Sequence, residues 1–202
     1  MKKNITEWLV SIIVGIAIAW IVTTFMFTSY TVKGSSMAPT FQEDDKLIIN
    51  KMSKSLNTVK RGDVIIFHAT KNSDYIKRLI GKPGDTVESK KDKLYINGKY
   101  IKEPYLKLNK QNKMTKYLTK DFDVADTKYS DGKKVIPKGK YLVLGDNRFI
   151  SNDSRRTLGL LSTDKVVGKV ALRWLPLSNL KFNFYPDSFN KINSITITFP
   201  FK

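Results

Sequence analysis

Residues Trp8 to Phe27, WLVSIIVGIAIAWIVTTFMF, carry no charged side chain, and this run constrains the chain more than any other. At a 1.5 Å rise per residue, twenty helical positions cover roughly 30 Å, the hydrocarbon thickness of a bilayer. Its small or polar interruptions are Ser11, Gly15, Thr23 and Thr24, so no face is polar as the outer face of a soluble helix is. The run also exceeds the about 7–15 apolar residues of a cleaved secretory signal, and it is expected to be an uncleaved transmembrane anchor. Lys2 and Lys3 flank its amino end, which the positive-inside rule places in the cytoplasm, with everything after Tyr30 outside. From Phe27 to Ser36 the chain spans at most about 30 Å, so Ser36 works close to the membrane.

After Tyr30 the pattern changes to short apolar runs rich in Ile, Val and Tyr, bounded by Gly, Pro, Asn or Asp. They are KLIIN, GDVIIFH, DYIKRLIG, KLYINGKYI, GKYLVLGDN and KVVGKVALRWL. The expected fold class is mainly β, an antiparallel β-sheet domain with one N-terminal transmembrane helix. Asn97-Gly98 supplies the positive φ angles of a two-residue hairpin turn. Residues 1–28 form the cytoplasmic tip and anchor and 29–202 the β-rich domain, with a smaller β subdomain inserted at about 86–136. The only candidate linker is the short passage after the anchor. The last segment, SITITFPFK, is compatible with an edge strand, a membrane-dipping patch or a non-native extension.

The net charge of +18 admits anionic lipid, wall polymer and nucleic acid as partners. No nucleic-acid motif accompanies the spaced lysines, so they are read as a solvated surface and no nucleic-acid partner is expected. Without cysteine and with His68 as the one histidine, thiolate chemistry and a metal site are not expected, and no cofactor is implied.

Two adjacent serines in KGSSMAPTF pose the question of a nucleophile and its base. His68 ends an apolar strand pattern and reads as a half-buried ring, which leaves a Ser-His-Asp triad without support. A lysine with its pKa lowered by burial is the remaining kind of base besides a carboxylate. In DYIKRLIG, alternation puts Tyr75, Lys77 and Leu79 on one face, so Lys77 sits inside an apolar strand. On this segment alone, the reading of an edge-strand lysine that discourages aggregation comes first. Arg78 cannot serve as a base, because a guanidinium does not deprotonate in proteins.

The order of the anchor, GSSMAPT, RGDVIIF, YIKRLIGKPGD and GDNRFISNDSRRTLG resembles that of the type I signal peptidases over nearly the whole chain. These are Ser/Lys serine endopeptidases that remove signal peptides from exported preproteins at the plasma membrane. The resemblance implies Ser36 as nucleophile, Lys77 as general base and then acid, and the Ser36 backbone N–H in the oxyanion hole. Many members carry a second oxyanion donor, a serine, where this chain has Gly34, which instead permits close backbone approach. It further implies that Ser151 orients the Lys77 ammonium, and that Asp146 with Arg78 and Asp153 with Arg155 brace the site as ion pairs. Substrate would lie as an added strand between Thr31–Ser36 and Asp74–Lys77, touching Gly34, Ser35, Asp74, Tyr75 and Ile76. The implied cut follows Ala-x-Ala, with preprotein signal peptides and membrane lipid as partners.

Other Ser/Lys enzymes fit less well. Autocleaving repressors share the chemistry but are soluble, and Ser-x-x-Lys, found at Ser130, Ser162, Ser178 and Ser188, lacks the Lys-Thr-Gly of penicillin-binding enzymes. The non-enzymatic alternative is an anchored β domain that binds an anionic partner by charge, with Ser36 merely in a turn.

Overall fold

The computed structural model describes residues 2–70 and 72–194, so SITITFPFK lies outside the described residues from Ile195 onward. Helix α1, Lys2–Met26, contains one stretch, Ile5–Met26, long and apolar enough to cross a membrane and buried against no other part of the chain. Three of its hydroxyls are satisfied within the helix: Ser11 Oγ donates to the Glu7 carbonyl, Thr23 Oγ1 to that of Ala19 and Thr24 Oγ1 to that of Trp20. Back-bonding of this kind lets polar side chains sit in an otherwise apolar helix.

Strand β1, Phe27–Thr31, follows without a break and pairs along its length with β2, Lys46–Asn50. The passage read from sequence as a linker is therefore a strand. Lys51 secures the junction from the other side of β2, its N–H donating to the Met26 carbonyl at 2.9 Å and its Nζ to the Thr24 carbonyl at 3.4 Å.

A short helix α2, Met52–Ser55, leads to β3, Val64–Thr70, and β4, Ser73–Gly81. Strands β5, Val87–Lys90, β6, Lys93–Ile96, and β7, Lys99–Ile101, come next, then helix α3, Lys107–Gln111, and β8, Phe122–Asp123. The chain returns through β9, Lys140–Leu144, β10, Leu161–Ser162, β11, Val166–Leu175, and β12, Lys181–Phe182. All pairings between these strands are antiparallel. They make an eight-stranded sheet in the order β1-β2-β11-β3-β4-β9-β10, with β12 on β11, and a four-stranded sheet in the order β7-β6-β5-β8.

The apolar runs explain the layering. In β3, Val64 and Ile66 point into a core with Val32, Met37, Phe41, Leu47 and Ile49, whereas Ile65 and Phe67 point the other way onto Leu79, Val143 and Leu161. A strand covered on both faces reads as continuous hydrophobicity, which is why VIIF does not alternate. A third core joins Ile80, Leu142 and Leu144 of the large sheet to Val87, Leu94 and Ile96 of the small one. Asn97 and Gly98 have φ of 51° and 74°, and Ile96 pairs with Lys99, the geometry that a two-residue hairpin requires.

The large sheet is irregular at one margin. Strand β9 pairs with β4 only from Arg78 to Gly81, which leaves the margin of Asp74–Lys77 away from β3 without a strand partner among the described residues.

Candidate active site

Ser36 sits in the turn after β1, pinned by its neighbours. Met37 on one side is fully buried, and the carbonyls near the serine are held by donors from distant segments. Asn147 donates its N–H to the Ser36 carbonyl at 3.0 Å and its Nδ2 to that of Ser35 at 3.2 Å. Asn109 donates from α3 to the Ala38 carbonyl at 2.9 Å and the Asp146 carbonyl at 2.8 Å. The Ser36 N–H has no acceptor among the described residues. Gly34, two residues earlier, has φ of 75°, in the left-handed region where a side chain is strained.

Lys77 reaches this turn from β4, and its Nζ donates to Ser36 Oγ at 2.7 Å. The lysine is only 3% exposed, its amine 5.3 Å from the centroid of the Tyr75 ring. Burial pushes its pKa down from 10.5 to about 8, against the opposing pull of the Asp153 and Asp146 carboxylates.

This burial costs stability. Because the folded-state pKa lies below the unfolded one, protons are released on folding between pH 8 and 10.5, and the penalty is full below that window and vanishes above it. A pKa displaced from 10.5 to about 8 corresponds to about 3 kcal/mol, an upper bound once the Ser36 bond is counted. Lys77→Met is therefore expected to unfold at higher denaturant concentration than wild type at pH 7, with the difference shrinking as pH rises toward 10.5. An equal or lower midpoint at pH 7 would contradict a strained lysine.

The GDNRFISNDSRRTLG segment wraps beneath the pair. Asp146 is buried and takes a two-pronged bond from Arg78, Nε to Oδ1 at 2.9 Å and Nη2 to Oδ2 at 2.6 Å, while Thr40 Oγ1 adds a bond at 2.6 Å. Asp153 is likewise gripped by Arg155 through Nε at 2.9 Å and Nη2 at 2.8 Å, and accepts the Gly145 N–H. Burial alone would raise the Asp153 pKa, but the Arg155 hydrogen bonds and charge hold its carboxyl below the usual range.

Both ion pairs expected from the sequence are thus present in the geometry. Ser151 differs: it is fully buried beside Asp153, and its hydroxyl makes no hydrogen bond to Lys77. Gly145 explains how closely this segment approaches, since a Cβ there would overlap the Ser151 hydroxyl and press on the Ser36 carbonyl.

The remaining expected residues line a cleft of about 210 Å³ at Ser36, formed by Tyr30, Gly34, Ser35, Asp74, Tyr75 and Ile76 among others. Tyr30 Oη donates across it to the Asp74 carbonyl at 2.9 Å. His68 is not half-buried as the strand pattern implied, because its side chain is 64% exposed and its Nδ1 lies 2.6 Å from Asp74 Oδ1. The residues that sequence reasoning missed are Asn109, Asn147, Thr40 and Tyr30. Asn147 lies within the GDNRFISNDSRRTLG motif, whereas Asn109 sits in a lysine-rich stretch with no local signal.

The fold thus brings a serine hydroxyl into hydrogen-bonding contact with a buried amine on an antiparallel sheet. A family model described as signal peptidase, peptidase S26, matches residues 5–175, and the chain belongs to that peptidase family. It is 48% identical over 189 residues to Signal peptidase IB of Staphylococcus aureus strain MRSA252, covering 93% of this chain and 98% of the relative. It is 43% identical over 183 residues to Signal peptidase I P of Bacillus subtilis subsp. natto, covering 89% and 94%. A crystal structure of a signal peptidase I from Enterococcus faecalis V583 superimposes with a TM-score of 0.51 at 40% identity, covering 55% of this chain and 95% of that one.

Proposed function

We propose that the protein is a single-pass membrane endopeptidase that removes signal peptides from exported preproteins, using Ser36 as nucleophile and Lys77 as base. The observation that carries this reading is the 2.7 Å contact between the Lys77 amine and the Ser36 hydroxyl. Neutral Lys77 accepts the Ser36 proton as Oγ attacks the scissile carbonyl, and the resulting ammonium then protonates the departing amine. The unpaired Ser36 N–H is the donor for the oxyanion, and with glycine at position 34 no serine side chain adds a second bond there. Water then attacks the acyl-enzyme with Lys77 again as base.

Substrate enters as a strand. The open margin of Asp74–Lys77 offers backbone donors and acceptors that β9 leaves unused, so pairing supplies affinity without selecting side chains. Selection falls to the cleft. Its volume of about 210 Å³ is below the roughly 300–1,000 Å³ of ordinary ligand pockets, which favours small side chains such as those of Ala-x-Ala. Helix α1 is the anchor, with Lys2 and Lys3 on the cytoplasmic side and the sheets outside.

The test is the pH dependence of kcat/KM on an Ala-x-Ala preprotein in detergent. Only the neutral amine accepts a proton, so the rate is expected to rise roughly tenfold per pH unit below the Lys77 pKa and to level off above about pH 8. A profile flat from pH 6 to pH 9 would sink the lysine mechanism.

A further inference from the structure

A second cleft, of about 940 Å³, adjoins the site through the 145–159 segment. That segment gives Asn147 to the Ser36 turn and Asn152 to the cleft at Ser36, and it gives Phe149 and Arg156 to the second cleft. The opposite wall comes from residues 115–122, including Lys116, Tyr117, Lys120 and Phe122. From Asn147 to Phe149 is two residues, at most about 7 Å of chain, so the two clefts are neighbours on one path.

The chemistry of this cleft is aromatic and basic. Phe149 is 57% exposed at its edge, and Lys116 Nζ lies 5.5 Å from the centroid of the Tyr117 ring. Arg148 and Arg155 also border it, but they are spent on Glu103 and Asp153. Lys116, Lys120 and Arg156 are exposed and pair with no carboxylate among the described residues. Two carboxylates also line it, Asp121 and Asp126, both exposed, with Asp121 Oδ1 accepting the Lys91 N–H and Asp126 Oδ2 the Asp123 N–H. Three unpaired cations against those two carboxylates leave the lining net positive, set beside rings that can pack along an extended chain.

We infer that this cleft receives the part of the preprotein that lies beyond the cut, and that it favours acidic side chains there. The inference rests on the proposed function. An endopeptidase holds chain on both sides of the bond it breaks, and the Tyr30–Ile76 cleft accounts for one side only. The other side leaves past Ser36 and Asn147, toward Phe149. A concave surface flanked by two chain segments suits a peptide strand better than the plane of a membrane.

Preproteins sharing one Ala-x-Ala site, with positions three to eight after the cut carrying three Glu, three Gln or three Lys, test this on the full-length protein in nanodiscs. The Gln substrate is the internal reference, and if it is not cleaved at all the proposed function fails rather than this inference. With the Gln substrate cleaved, kcat/KM is expected to be roughly tenfold higher for Glu than for Lys at low ionic strength, converging at high salt. Lys116→Glu/Lys120→Glu/Arg156→Glu is expected to reverse the order. Equal rates for Glu and Lys, or an order unchanged in the triple variant, overturn the assignment. Should the variant instead lose activity on all three substrates only in nanodiscs of anionic lipid, the cleft binds lipid headgroups and the inference is wrong.

Discussion

Ser36→Ala and Lys77→Ala are each expected to lower kcat on an Ala-x-Ala preprotein by on the order of 10⁴-fold or more, and the double variant is expected to be no slower than either single one. In the mechanism proposed above, hydroxyl and amine act as one unit across the 2.7 Å contact. Without the base the hydroxyl stays protonated at its ordinary high pKa, and without the hydroxyl the base has nothing to activate. Both variants are expected to fold, since Ser36 lies at the surface of the cleft and loss of the buried amine relieves a desolvation cost. Should Lys77→Ala keep activity within tenfold of wild type, a different base serves Ser36. His68 is poorly placed for that task, because its ring is largely exposed and bonded to Asp74.

Asp146→Ala is expected to cost about 3–5 kcal/mol of stability, because it strands the Arg78 guanidinium in the interior without its counter-ion. Arg78 and Asp146 are 1% and 0% exposed, and besides their two mutual bonds Arg78 donates to the Gly62 and Phe184 carbonyls at 2.8 Å. Arg78→Leu/Asp146→Leu removes both charges together and is expected to be less destabilised than Asp146→Ala alone. Urea unfolding of the three proteins decides the matter. A single variant that loses less than about 1 kcal/mol would mean that water reaches the pair and that it behaves as an exposed one. In the proposed reaction the pair would act through position: Asp146 also takes the Thr40 hydroxyl, and the next residue, Asn147, holds the Ser36 carbonyl.

How much of this was legible in the sequence depended on whether each signal was local. Lys77 stood out because alternation placed it between Tyr75 and Leu79, and the sheet keeps that face. The turn at Asn97-Gly98 and the run VIIF of β3 were equally plain, since conformation and burial there follow from a few adjacent residues. Strand β1 was hidden because FTSYT is mostly polar and follows the apolar run directly, and its strand character comes from pairing with β2. Asn109 was hidden for a related reason: the carbonyls that it joins lie 71 and 37 residues away along the chain. His68 looked half-buried from its strand position, but the β3–β4 hairpin carries it past the core into solvent. The motif-based expectation that Ser151 bonds Lys77 was not met, although the serine is buried against the same segment.

The junction between α1 and β1 has no slack. Helix gives way to paired strand at Phe27, and Lys51 ties the last helical turn to the next strand, so no unpaired linker separates the helix from the sheet. In the membrane setting proposed above, such a stem acts as a gauge that holds the cleft at one height over the lipid. A preprotein's own apolar helix would be threaded in the same bilayer, and the length of chain between its end and the scissile bond would have to match that height. Two sites with identical side chains would then be told apart by distance alone, a ruler supplied by backbone pairing rather than by any pocket.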